Sequence, residues 1–134
     1  MKHFTTLACC LALTITALPV RAHEGSHATH GKAAPQTIAG EVVDTGCYLA
    51  HSARGEKHIG CATKCINQGM PMGLLTGEGK LYLLTLNHDN PDPYNKLKGM
   101  AGKNVAVTGM VIERSGMKGI DVTEVKPFAT KAGK

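Results

Sequence analysis

The chain has no tryptophan, two phenylalanines and three tyrosines. Its core must therefore come from Val, Ile, Leu and Met, and a domain of this size buries only about two thirds of the surface its unfolded chain exposes. A covalent or metal staple would help such a core. The sequence also lacks an apolar run as long as the ~20 residues that cross a bilayer, so nothing in it reads as membrane-spanning. There is no G-x-S-x-G, no H-E-x-x-H, no phosphate-binding glycine loop and no paired acidic motif in an apolar setting, which leaves a hydrolase without residues to stand on. Neither C-x-x-C nor C-x-x-C-H occurs, which argues against a thioredoxin-like centre and covalent haem. Lysine and arginine outnumber acidic residues by 15 to 10, but the signs are interleaved and no basic stripe carries aromatics. Nucleic acid is not an expected partner.

What is present begins with an export signal. Met1-Lys2-His3-Phe4 precedes an apolar run from Leu7 to Val20, and Val20-Arg21-Ala22 stands before the polar His23-Glu24-Gly25. This is a short cationic region, an apolar region and a cleavage site in which Val20 replaces the first small residue. Residues 1–22 are read as a cleaved signal peptide, which places the mature chain in the periplasm or outside the cell. Cys9 and Cys10 fall too early in the apolar run for lipidation and would leave with it. Loss of Lys2 and Arg21 lowers the formal charge of +5 by two.

Residues 23–37 are rich in His, Ala, Gly and Pro, without hydrophobic periodicity, and read as a flexible His-rich tail. The folded domain is expected over residues 38–128, with a short disordered tail at 129–134. Ile38 to Asp44 has the β-branched enrichment of a strand, continuing past Gly46 into Cys47-Tyr48-Leu49, with Gly46 as a bulge or bend. A polar loop follows over residues 50–60. Cys61 to Gln68 fits a short helix with Gly60 as N-cap, Gly69 as the left-handed residue beyond its end, and Pro71 forbidding continuation. Met72 to Leu75 and Lys80 to Leu86 read as a hairpin around Gly77-Glu78-Gly79. After the loop from Asn87 to Pro93 comes one helical turn near Tyr94 to Leu97. Asn104 to Arg114 and Gly119 to Lys126 form a second hairpin turning at Ser115-Gly116. Five short strands with one helix after the first predict a mainly β domain, a small five-stranded barrel of the OB type.

The chemistry is concentrated at Cys47-x13-Cys61-x3-Cys65, with His58 three residues before Cys61 and His51 four after Cys47. Positions i and i+4 share a helix face, so Cys61 and Cys65 can address one point, where the segment bearing Cys47 could join them. Three thiolates and an imidazole suit Zn(II) or Cu(I), with His58 as fourth ligand and His51 as the spare. The same cysteines could instead staple the fold, as exported proteins meet an oxidising compartment. In that case Cys47 would pair with Cys61 or Cys65, because an i,i+4 pair has poor disulfide geometry. The odd count then leaves one free thiol. A second candidate site is the mature N-terminus, where the free amine and imidazole of His23, with His27 and His30, could chelate Cu(II), Ni(II) or Zn(II). Met70 and Met72 flank Pro71 as soft thioethers, but methionines in such positions more often fill the core.

The segments GEVVDTGCY (40–48), HIGCATKC (58–65) and GMPMGLL (69–75) together resemble small exported bacterial proteins of unassigned function, with GxVVDxxCY and HxxCAxxC motifs over about residues 40 to 125. The resemblance implies a compact OB-like domain with the cysteines and histidine in one site. In size, export and barrel architecture the chain is also similar to small periplasmic copper chaperones. Their tryptophan-covered site has no counterpart here, so only the class of function is suggested.

The reading is an exported, non-catalytic metal-binding or metal-handling protein for copper or zinc, whose partners are the ion and a periplasmic or membrane protein. The alternative is a disulfide-stapled interaction domain with one free thiol. The export reading has a direct check: intact-mass measurement of secreted protein should give an unlipidated chain beginning at His23, whereas a chain retaining Met1 or a lipid would remove both the export argument and the His23 chelate.

Overall fold

A computed structural model describes residues 34–128. The signal peptide, His23, His27, His30 and the tail at 129–134 lie outside the described residues. The domain is mainly β. Strands β1 (Gln36–Asp44), β2 (Met72–Leu75), β3 (Leu81–Leu86), β4 (Asn104–Arg114) and β5 (Met117–Pro127) pair in the closed order β1-β2-β3-β5-β4. All neighbours are antiparallel except β3 and β5.

The alternation read in the sequence is what closes this sheet. On β4 Val105 and Val107 are buried, opposite Pro127 and Val125 of β5, while Ile120 and Val122 of β5 are buried in the same core. Leu74 of β2 and Leu84 of β3 meet them inside, and Met72 is 1 % exposed within the same core. Tyr82 and Tyr94 only flank it, so the interior is aliphatic, as the shortage of aromatics requires. β1 begins two residues earlier than the expected domain start: Gln36 and Thr37 pair with Gly109 and Thr108, and the two threonine hydroxyls hydrogen-bond at 2.8 Å.

The segment between β1 and β2 differs most from expectation. Cys47-Tyr48-Leu49 does not extend the strand; Thr45–His51 is a helix, α1. The cause is Asp44, whose Oδ1 accepts from the backbone N–H groups of Gly46 at 2.9 Å and Cys47 at 3.1 Å. Two otherwise unpaired helix-start donors are satisfied there, and this outweighs the strand preference of the residues that follow. α1 ends at Ser52, whose φ of 56° is left-handed and whose N–H returns to Tyr48 O. The expected loop over residues 50–60 thus contains the end of α1 and a 3₁₀ turn at Glu56–His58. That turn runs directly into α2 (Ile59–Asn67), so His58 rather than Gly60 is the N-cap. Gly69, at φ 100°, is the left-handed residue after α2, as its sequence position indicates. The helical turn near Tyr94 is longer than expected, as α3 (Asp92–Leu97), so the domain holds three short α-helices instead of one.

Two glycines test this packing in opposite directions. At Gly109 the β4–β5 register shifts, and a Cβ there would lie 2.1 Å from the Asp121 carbonyl oxygen. Gly60 is inside α2 with open space around it. Gly109→Ala is expected to lower unfolding free energy by about 1–3 kcal/mol or more, and Gly60→Ala to raise it by about 0.5–1 kcal/mol. Urea unfolding followed by circular dichroism would measure both.

Candidate metal centre

The three cysteines come from two helices held at fixed phase. α2 buries Ala62 and Ile66, four residues apart, in the barrel core. Each is preceded in the helix by a cysteine, so Cys61 and Cys65, four residues apart, lie together on the flank, outside the core but against it. α1 is tied to the segment after α2 at its first residue: Thr45 donates to Pro71 O through both its backbone N–H, at 3.0 Å, and its hydroxyl, at 2.9 Å. This anchorage, together with the Asp44 cap, turns Cys47 toward α2.

The result is one site. The Sγ atoms of Cys47, Cys61 and Cys65 all lie within 4.8 Å of one another, with Cys47 and Cys61 at 4.0 Å. All three are free; Cys61 is exposed and the other two are half-buried. Thiolates at the ~2.3 Å Zn–S distance lie about 3.8 Å apart in a tetrahedral set and about 4.0 Å apart in a trigonal one. The sulfurs need to close by less than an ångström to hold one ion. No disulfide joins any two of the three.

The expected histidine ligands are placed differently. His58 is exposed at the N-cap of α2 and lines a cavity of about 10 Å³ with Glu41, Asp44, Cys47, Arg54 and Cys61. It is near the thiols but outside the group whose donors lie within 4.8 Å. His51 is exposed at the end of α1 and is also outside that group. Met72 is core, while the Met70 thioether lies over Gly46, where an added Cβ would be 2.8 Å from its Sδ.

One residue of the site was missed. Asp44, which the sequence places inside a strand running on to Leu49, instead ends β1, is 1 % exposed, caps α1 and borders the cavity beside Cys47 and Cys61. Its signal was legible: an Asp immediately before a short segment that ends in a polar, glycine-containing run is an N-cap pattern. Glu41, on the same wall, accepts from the Gly55 N–H and pins the loop that carries Arg54.

These surroundings favour the protonated form of Cys47 and Cys65. The Asp44 carboxylate favours the S–H form of Cys47, and burial and Cys61 add to it, so that this thiol is pushed up to about 12. Burial likewise raises Cys65, against an opposing hydrogen bond from Cys47. The thiolate is the nucleophile, so a raised value means slow alkylation that accelerates only as pH climbs toward it. Timed iodoacetamide labelling with peptide mapping should therefore modify the exposed Cys61 first and Cys47 last, with Cys47 labelling still rising above pH 10. Equal rates at all three cysteines near pH 8 would contradict this ordering.

Among the described residues no helix is long and apolar enough to cross a membrane. No protein-family model matches the chain, and neither a curated protein nor a solved structure does.

Proposed function

We propose that this is an exported, non-catalytic protein that binds and hands on a soft or borderline metal ion, copper or zinc, through Cys47, Cys61 and Cys65 on an OB-like barrel. The observation that carries the reading is the convergence of three unpaired sulfurs within 4.8 Å, from two helices whose phases are set by other contacts. Sulfur donors select Cu(I) and Zn(II) over hard cations. Three ligands, one of them exposed, leave a coordination position open to a fourth group, and His58 lines the same small cavity as Cys47 and Cys61. The mature His23, His27 and His30 tail would add a weaker site whose imidazoles release metal below about pH 6.5. The expected partners are the ion and a periplasmic or membrane protein that exchanges it.

A second reading is favoured by one distance. Cys47 and Cys61 sulfurs at 4.0 Å are about 2 Å from bonding, so an oxidising compartment could convert the site into a staple with Cys65 free. The two readings predict different chemistry. Reduced mature protein should bind one Cu(I) or Zn(II) tightly; Cys61→Ser should abolish that binding, and deletion of residues 23–33 should spare it while removing the weak site. Because loading displaces thiol protons, affinity should rise with pH. Protein that is purified with a stable disulfide, takes up no metal after gentle reduction, and loses only ~2–5 kcal/mol of stability in Cys61→Ser is the stapled module instead.

A further inference from the structure

On the metal reading above, the ion preference of the site turns on a buried carboxylate beside Cys47. Asp44 is 1 % exposed. Its Oδ1 takes both capping hydrogen bonds, from Gly46 and Cys47. Its Oδ2 is buried with no N–H or O–H donor within hydrogen-bond distance among the described residues, and the side chain acting on the carboxylate by hydrogen bonding is the Cys47 thiol, whose proton a bound ion would displace. The ion pairs found there, Glu78–Lys80, Glu113–Lys118 and Glu124–Lys126, are all on the surface and none involves Asp44. A buried charge is normally paired or set against a metal.

This carboxylate stands against the cysteine cluster. It borders the same small cavity as Cys47 and Cys61, and its effect reaches the thiols of both Cys47 and Cys65. It lies outside the set of donors within 4.8 Å of one another, at the side where Cys47 leaves β1 for α1. We propose that Asp44 makes the three-cysteine cluster a divalent-ion site, its free carboxylate oxygen beside Cys47 supplying the negative charge and the oxygen donor that favour Zn(II) over Cu(I).

Two physical arguments point the same way. Coulomb attraction scales with the charge of the ion, so a fixed anion near the site favours a divalent over a monovalent ion. Oxygen donors suit Zn(II), whereas Cu(I) is selected by sulfur alone. Proton competition does not disturb the comparison, because both ions displace the same three thiol protons and that cost cancels in the ratio of their affinities.

The test uses mature wild-type protein, Asp44→Asn and Asp44→Ser. Both substitutions keep an oxygen that can cap α1, so the helix is retained while the charge and Oδ2 are removed. Association constants for Zn(II) and Cu(I) would be measured anaerobically by chelator competition. The ratio of Zn(II) to Cu(I) affinity is expected to fall at least about tenfold in both variants. The surface variant Glu124→Gln should change it by less than about twofold. If both variants bind one ion per chain with the wild-type ratio, the proposal is overturned and the three-cysteine site stands. A wild-type protein that binds neither ion overturns the metal reading itself.

Discussion

The contact from Asp44 Oδ1 to the N–H groups of Gly46 and Cys47 decides what the rest of the cysteine site can be. Val42, Val43 and Asp44 are successively buried at the end of β1, and nothing in the strand itself would stop the ladder there. The cap makes it profitable for the chain to leave the sheet in a helical direction. Had β1 continued, side chains would have alternated across the sheet, and Cys47 could not have been brought to α2 by the short turn that now does so. A single side-chain oxygen thus converts an extended segment into the arm that carries the first thiol.

That contact is energetically incomplete. An N-cap hydrogen bond contributes about 1 kcal/mol, while leaving a buried polar atom without a partner costs about 1–3 kcal/mol. Ser or Asn at the same position would cap the helix without burying a charge. Stability alone therefore gives no reason for Asp at position 44, whereas a cation bound beside Cys47 would give one. The remainder of the site is held by interactions that are individually ordinary. Ala62 and Ile66 fix the phase of α2 through the aliphatic core, the Thr45 bonds to Pro71 O join α1 to the end of α2, and Glu41 pins the intervening loop at Gly55. In a core without tryptophan these polar tethers position the helices, and the barrel supplies the rigid floor.

How much of this was legible in the sequence follows from range. Strand β4 was read with its observed ends, because Val105, Val107 and Val111 alternate and solvent and core enforce period two on that stretch. Gly69 and the Ser115-Gly116 turn were legible because only certain residues tolerate positive φ, and Ser115 and Gly116 do adopt it. Cys47-Tyr48-Leu49 carries a local strand preference that the Asp44 cap overrides. The start of α2 was placed too late because Gly60 looked like punctuation, although the preceding 3₁₀ turn hands the chain into the helix. Convergence of Cys61 and Cys65 followed from helical period. That Cys47 joins them depended on the β1–α1 corner and the Thr45–Pro71 tie, and neither residue type nor spacing encodes a contact between positions 45 and 71. The histidine expected to complete the cluster illustrates the same limit: His58 reaches the cavity, but as the exposed residue at the entry to α2.

Exposure distinguishes a site that keeps its ion from one that exchanges it. Structural zinc sites are closed by four protein ligands, and their ligands are withdrawn from solvent by the fold they stabilise. Here the sheet closes on itself, and α2 is seated by Ala62 and Ile66, which belong to the aliphatic core. The cluster instead stands at the helix flank, with Cys61 exposed and Cys47 and Cys65 half-buried. On the proposed metal-handling reading, an incoming donor would reach an ion at Cys61 first, while the two shielded sulfurs hold it until the new bond forms. Raised proton affinity at Cys47 and Cys65 assists the same step, because each sulfur that loses the ion can regain a proton. On the same reading, a three-sulfur site graded in exposure suits stepwise transfer better than permanent retention.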